Sequence, residues 1–195
     1  MSDINFKKKF YRTQLRARRQ ALTNSFREKA AVSMTEQMLS VLSHAHAIHI
    51  GTYHSLPEEM GTTYLINALI SLNMQVYLPT ITESPSPLLN FISINKKTHF
   101  SKNKYQIFEP EINDDNKPIK VSQLDALILP LVGFDLMGNR LGMGKGYYDR
   151  TLAGCHPHPL LIGIGYACQT LNEVPHNEND VKLSIIITEN QTHYI

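Results

Sequence analysis

Hydrophobic and polar positions change their period several times along this chain, and each change marks an element. From Phe6 to about Leu22 the period is helical: at about 100° per residue Phe6, Phe10, Thr13, Ala17 and Ala21 share one face, while Lys8, Lys9, Arg12, Arg16 and Arg19 gather on another. Ser25-Phe26-Arg27-Glu28 has the capping-box pattern that opens a second helix, and Ala31, Met34, Met38 and Val41 continue it at helical spacing. The methionines read as core packing. His44 to Tyr53 predicts a short strand ending at the loop His54-Ser55-Leu56-Pro57-Glu58-Glu59. His44 and His46 would share a face of it, but with no third ligand nearby a polar strand face is a simpler reading than a metal site.

Thr62 to Leu72 resumes a helical pattern through Leu65, Ile66, Leu69 and Leu72, and Met74 to Pro79 follows as a strand. Strand, helix and strand in succession predict a βαβ unit, hence a parallel sheet. Ile81 to Leu89, rich in Pro, Ser and Thr, is a loop inside the domain, because apolar alternation returns in Phe91-Ile92-Ser93-Ile94. Glu111 to Lys117 predicts polar surface. Leu127 to Val132 is a buried strand, Gly146 to Leu152 starts a helix with Gly154 as its stop, Leu160 to Tyr166 is another buried strand, and Leu183 to Thr188 is the last. The expected fold is α/β: a single layered domain over residues 1–195, with a central, largely parallel sheet flanked by helices.

Composition narrows the class. A chain of 195 residues can bury a real core, and 42% hydrophobic with 18% charged residues describes an ordered globular protein. The formal charge of +2, from 19 basic and 17 acidic side chains, argues against nucleic-acid binding through bulk field. Cys155 and Cys168 lack CxxC spacing and read as reduced thiols. No apolar h-region follows Lys7-Lys8-Lys9, and no apolar run approaches the ~20 residues of a membrane span. The expectation is a cytoplasmic protein without a membrane anchor, a monomer or weak homo-oligomer.

The chemistry concentrates after the Leu127–Val132 strand, in Gly133-Phe134-Asp135 and then Gly138-Asn139-Arg140-Leu141-Gly142-Met143-Gly144-Lys145-Gly146-Tyr147-Tyr148-Asp149-Arg150. Glycines let backbone N–H groups converge on an anion, and Arg140 and Lys145 add fixed positive charge. The loop is not a Walker A motif, since Gly144-Lys145 is followed by Gly146 and Asn139 stands where the first glycine is required. Nor does it have the glycine spacing of a dinucleotide fingerprint. What remains is a set of N–H groups and two cations for phosphate oxygens, Asp149 as a hard oxygen ligand for Mg²⁺, and Tyr147 and Tyr148 for a flat partner. Phosphoryl transfer needs mainly positioning and charge neutralisation. A glycine-rich turn with core tyrosines explains the same residues without a ligand, and the basic helix face reads either as solvated surface or as a phosphate-binding edge.

Gly138 to Asp149 resembles the 5-formyltetrahydrofolate cyclo-ligase (5,10-methenyltetrahydrofolate synthetase) family, whose pattern Gly-x-Arg-Leu-Gly-x-Gly-x-Gly-Tyr-Tyr-Asp it matches at every specified position. The resemblance covers nearly the whole chain. Arg12-Thr13-Gln14-Leu15-Arg16, with Arg19 and Leu22, is similar to the family's first helix; Tyr53 to Thr62 to its pterin-side segment; Tyr105-Gln106-Ile107-Phe108-Glu109-Pro110 to its Ile-x-Glu-Pro segment; and Gln169, Val174-Pro175 and Asn177 to Asp180 to its closing motif. The resemblance implies ATP-dependent conversion of 5-formyltetrahydrofolate to 5,10-methenyltetrahydrofolate, with ATP as co-substrate and Mg²⁺ as cofactor. Carried over residue by residue, it assigns ATP to Arg12, Arg16, Arg140, Leu141, Gly142, Gly144, Lys145, Gly146, Tyr147 and Tyr148, and catalysis to Arg140, Lys145 and Tyr148. Substrate falls to His54, Glu59, Met143 and Tyr147, and Mg²⁺ to Asp149 and Asp180. His54 stands where some members carry an apolar contact, Met143 replaces a basic residue of some members, and Ser184 stands where aspartate is common. A sugar-phosphate or acyl-transfer enzyme on a similar scaffold would also explain an anion loop, without requiring ATP.

Overall fold

A computed structural model describes residues 3–82, 84–102, 108–113 and 116–195. The chain runs through helices α1 (Asp3–Gln20) and α2 (Asn24–His44), strand β1 (His49–Gly51), helix α3 (Thr63–Ser71), and strands β2 (Gln75–Ile81), β3 (Leu89–Ile94), β4 (Phe100–Lys102) and β5 (Phe108–Pro110). It continues with β6 (Ala126–Pro130), β7 (Gly133–Phe134), β8 (Arg140–Leu141), helix α4 (Tyr147–Ala153), β9 (Leu160–Ile164), β10 (Ile185–Ile187) and β11 (Thr192–Tyr194).

Seven strands form one sheet in the order β11-β10-β9-β6-β1-β2-β3. The five central strands are parallel, as the βαβ pattern predicts, and β3 and β11 close the edges antiparallel. Both faces of the sheet are covered, which is why β6 reads as an unbroken apolar run. Ala126 and Ile128 pack with Met34 and Met38 of α2 and Leu65 and Leu69 of α3. Leu127 and Leu129 point the other way, into a second cluster with Phe91 and with Leu152 of α4. The sheet extends one strand beyond the expected last one: Ile185 to Ile187 pair with Thr192 to Tyr194. No helix among the described residues is long and apolar enough to cross a membrane.

Three local expectations are corrected. The apolar face expected to bury α1 is outside: Phe6 and Phe10 are 68% and 51% exposed. The helix instead turns its basic side inward, burying Leu15 and Arg19, because Lys8, Arg12 and Arg19 all find partners there and their alkyl stems supply apolar contact. Secondly, α2 is capped by Thr23, whose hydroxyl accepts the Phe26 N–H at 3.2 Å, and not by Ser25. Thirdly, the strand expected over His44 to Tyr53 shrinks to His49–Gly51. α2 runs on through His44, and His46 takes a positive φ of 51° in the turn, so the two histidines do not share a strand face. Asp125 then fixes the entry to β1 by accepting the Ile48 and His49 N–H groups at 2.9 and 2.7 Å.

The turn between β7 and β8 is organised by one buried carboxylate. Asp135 accepts the N–H groups of Met137 and Asn139 on Oδ1 at 3.0 Å each, and the Asn139 amide and the Val174 N–H on Oδ2 at 2.9 and 2.8 Å. Gly138, at the apex, has φ 83°, and a Cβ there would lie 2.8 Å from the Leu183 carbonyl. Burial alone would push the Asp135 carboxyl up, but the hydrogen bonds from Val174, Asn139 and Met137 outweigh it and hold the group below its usual value.

A carboxyl depressed on folding contributes stability that is present above its unfolded pKa of about 3.9 and is lost as pH falls through the lower folded value. Asp135→Ala, which strands these donors, is expected to cost on the order of 3 kcal/mol in urea unfolding at neutral pH. The variant should also lose less stability than the parent on acidification below that unfolded value. An unchanged midpoint and acid profile would remove Asp135 from this role.

Candidate active site

A cavity of about 570 Å³ opens at the carboxyl ends of β2 and β6, the end of a parallel sheet where α/β folds place their ligands. Two walls of different character meet in it.

The first wall is cationic. Arg12 projects from α1 and donates through Nε to the Gly142 carbonyl at 2.8 Å. Its guanidinium lies where a side chain on residue 144 would stand: a Cβ on Gly144 would be 3.1 Å from Arg12 Cζ, and Gly144 has φ 91°. Gly146 has φ 67°, and its missing Cβ leaves room for Arg150, which donates to the Lys145 carbonyl at 2.9 Å and covers the Tyr147 ring at 5.3 Å. These contacts hold the loop against α1 and α4. Arg140 is buried and pairs with Asp149 at 2.5 Å, while its Nε has no partner among the described residues. Lys145 lines the cavity from an exposed position.

The second wall carries Tyr53, Glu59 and Tyr148, with His54 and Phe108 at its side. Glu59 is 8% exposed and accepts the Leu56 N–H on Oε2 at 3.0 Å. Burial pushes its carboxyl above the ordinary range, against the opposing pull of that N–H and of Arg19. Desolvation, and then the charge of Glu59, push the Tyr148 phenol up as well, with Arg140 opposing. His54 packs edge-on against Phe108, with ring centres 6.1 Å apart, and against Phe100 at 6.4 Å.

Of the residues expected in the site, the cavity is lined by Arg12, His54, Glu59, the whole stretch from Arg140 to Asp149, and Asp180. Arg16 is the exception. It is not among the lining residues, and its guanidinium pairs with Glu58 at 3.2 Å. Ser184 is likewise absent from the lining and is held through its backbone between Leu161 and Ile195. Tyr105, Gln106 and Ile107 of the Ile-x-Glu-Pro segment lie outside the described residues, whereas Phe108 and Glu109 reach the cavity. Lys8 was not expected there as a site residue: it lines the cavity and pairs with Asp180 at 2.5 Å. The available signal was its spacing, four residues before Arg12 and so on the same helix face.

Among the described residues no three His, Cys, Asp or Glu side chains are grouped to hold a metal ion by themselves. Mg²⁺, however, is commonly held by one or two carboxylates together with substrate phosphates. Asp149 and Asp180 suit that mode. Both line the cavity, and the Val181 N–H approaches Asp149 Oδ1 at 3.5 Å, so the two segments abut. Each carboxylate engages its cation through one oxygen, Oδ1 of Asp149 and Oδ2 of Asp180.

Comparison with known proteins identifies the family. The family model described as the 5-formyltetrahydrofolate cyclo-ligase family matches residues 4–189. The chain is 35% identical over 182 residues to the 5-formyltetrahydrofolate cyclo-ligase of Haemophilus influenzae, covering 93% of this chain and 97% of that one. It is 32% identical over 175 residues to the Escherichia coli protein of the same name, covering 89% and 96%. In three dimensions it superposes on the 5,10-methenyltetrahydrofolate synthetase of Aquifex aeolicus with a TM-score of 0.81 at 22% identity, covering 96% of this chain and 92% of that one. On the synthetase of Mycoplasma pneumoniae the TM-score is 0.74 at 23% identity, covering 93% and 98%. At those identities the superpositions speak for the shared fold, while the sequence matches carry the kinship: the chain belongs to the 5-formyltetrahydrofolate cyclo-ligase family.

Proposed function

We propose that residues 1–195 act as one cytoplasmic catalytic domain that cyclises 5-formyltetrahydrofolate to 5,10-methenyltetrahydrofolate at the expense of ATP, releasing ADP and phosphate. The observation that carries this beyond kinship is the joining of two walls in one cavity. A cationic glycine loop suits a triphosphate, and the half-apolar wall around Glu59 suits a flat heterocycle.

ATP is needed because an amide oxygen is a poor leaving group. The N5-formyl oxygen attacks the γ-phosphorus and ADP leaves; N10 then attacks the activated carbon and loses its proton, and phosphate departs with the former formyl oxygen. The substrate's own oxygen is the nucleophile towards phosphorus, so no covalent enzyme intermediate is required. Lys8, Arg12, Arg140, Lys145 and the loop N–H groups hold the phosphates. Asp149 and Asp180 would hold Mg²⁺, which when bound offsets the charge of the phosphate oxygens. Glu59 orients the pterin, His54 and Met143 border the substrate, and Tyr147 and Tyr148 shape the place where formyl oxygen and γ-phosphate meet. Arg16, engaged by Glu58, supports the helix from outside the phosphate site.

Purified protein supplied with 5-formyltetrahydrofolate and Mg·ATP is expected to generate the methenyl chromophore, followed by absorbance. No change under varied conditions would overturn the proposal, and folate binding indifferent to nucleotide would favour the sugar-phosphate or acyl-transfer alternative. Arg12→Ala should raise KM for ATP roughly 10- to 100-fold, the scale of a lost charge-assisted contact, whereas Arg16→Ala should leave it near the parent value. Equal effects of the two would return Arg16 to the phosphate site. Gly144→Ala forces a Cβ against the Arg12 guanidinium at a strained φ, so it should weaken ATP in the same direction as Arg12→Ala.

A further inference from the structure

Behind the cavity wall lies a closed ring of hydrogen bonds whose members do no chemistry in the reaction above. Arg19, 0% exposed, donates through Nη2 to Glu58 Oε1 and through Nη1 to the Leu131 carbonyl, both at 3.3 Å. The same carbonyl accepts Nε2 of Gln169 at 2.6 Å, and that amide also reaches the Val132 carbonyl at 2.9 Å. Oε1 of Gln169 accepts the Tyr166 N–H at 2.7 Å, and the Tyr166 hydroxyl donates to the Glu59 carbonyl at 3.0 Å. The peptide between Glu58 and Glu59 closes the circuit. Gln169 and Tyr166 are also 0% exposed, and none of the three side chains lines the cavity, whereas Glu59, Leu131 and Val132 do.

This is a costly way to fill a core. A guanidinium in full burial loses its hydration, and Arg19 still leaves Nε unpartnered among the described residues. What the ring secures is geometry. It ties α1, the Glu58-Glu59 loop, the segment after β6 and the Tyr166–Gln169 turn to one another, and it grips residue 59 through its backbone, while Glu59 itself lines the cavity with Oε2 on the Leu56 N–H. Tyr166 also sits within the principal apolar cluster, so its hydroxyl is anchored from behind. We infer that Arg19, Gln169 and Tyr166 are positioning residues for Glu59, holding its carboxylate at the distance from the phosphate wall that one bound folate requires. This deepens the reading of Glu59 as the pterin contact and rests on it.

Tyr166→Phe removes only the hydroxyl that grips Glu59 and keeps the ring's volume. KM for 5-formyltetrahydrofolate is expected to rise about 5-fold, the scale of one neutral hydrogen bond, with KM for ATP unchanged. The decisive comparison is the same change in a Glu59→Gln background. A residue acting through Glu59 loses its effect there, whereas a merely structural one adds its effect to that of Glu59→Gln. Arg19→Lys, which keeps the charge but not the planar fork, should shift the same KM in the same direction. Additive effects, or an equal rise in both KM values, would overturn the inference. Should Glu59→Gln raise the folate KM while Tyr166→Phe leaves it unmoved, the ring fails and Glu59 keeps its role. A folate KM unmoved by Glu59→Gln would sink the reading of Glu59 itself, and the inference with it.

Discussion

The contact on which the site depends is that of the Arg12 guanidinium with the glycine loop. It is charged, partly withdrawn from water, and lies against backbone where any side chain would stand. One interaction therefore fixes three things together: the seating of α1, the course of residues 142–144 and the position of a cation beside the cavity. Glycine at 144 serves both as the residue that tolerates φ 91° and as the space the arginine fills.

The fold makes such a contact possible by presenting the loop from a rigid base. β6 is buried on both faces and paired on both sides, so the segment leaving Pro130 starts from a fixed point. Asp135 fastens the next turn from within, by hydrogen bonds to its own neighbours and to Val174. The loop can carry many glycines because its order comes from these anchors and from arginine contacts, not from its own side chains.

The sequence disclosed the parts whose cause is local. The apolar run of β6, the βαβ unit and the start of α4 follow from period and glycine placement, and the stretch from Arg140 to Asp149 lines the cavity as a block because its residues are contiguous. Features decided by distant partners were not legible. Periodicity leaves the basic side of α1 open between solvated surface and phosphate-binding edge, and the resemblance assigns Arg12 and Arg16 to ATP. Which of its side chains turn inward is decided by Asp180, Gly142, Leu131 and Glu58, which face it. Arg16 and Arg19 belong to the same run of charge, yet one is exposed and the other wholly buried: both pair with Glu58, but Arg19 alone also reaches the Leu131 carbonyl after β6. His44 to Tyr53 misled for the opposite reason: alternation is present, but the helix before it outruns its first residues.

The pairing of Lys8 with Asp180 bridges 172 positions of sequence. A contact between residues so far apart closes a long loop, whose entropic cost grows only slowly with its length. The sheet draws on the same end of the chain, since β10 and β11 both follow Asp180, so core and cavity close with one stretch of sequence. Site and core are therefore coupled there: the stretch from Asp180 to Ile187 supplies a cavity carboxylate and, with Ile185 and Ile187, part of the principal apolar cluster.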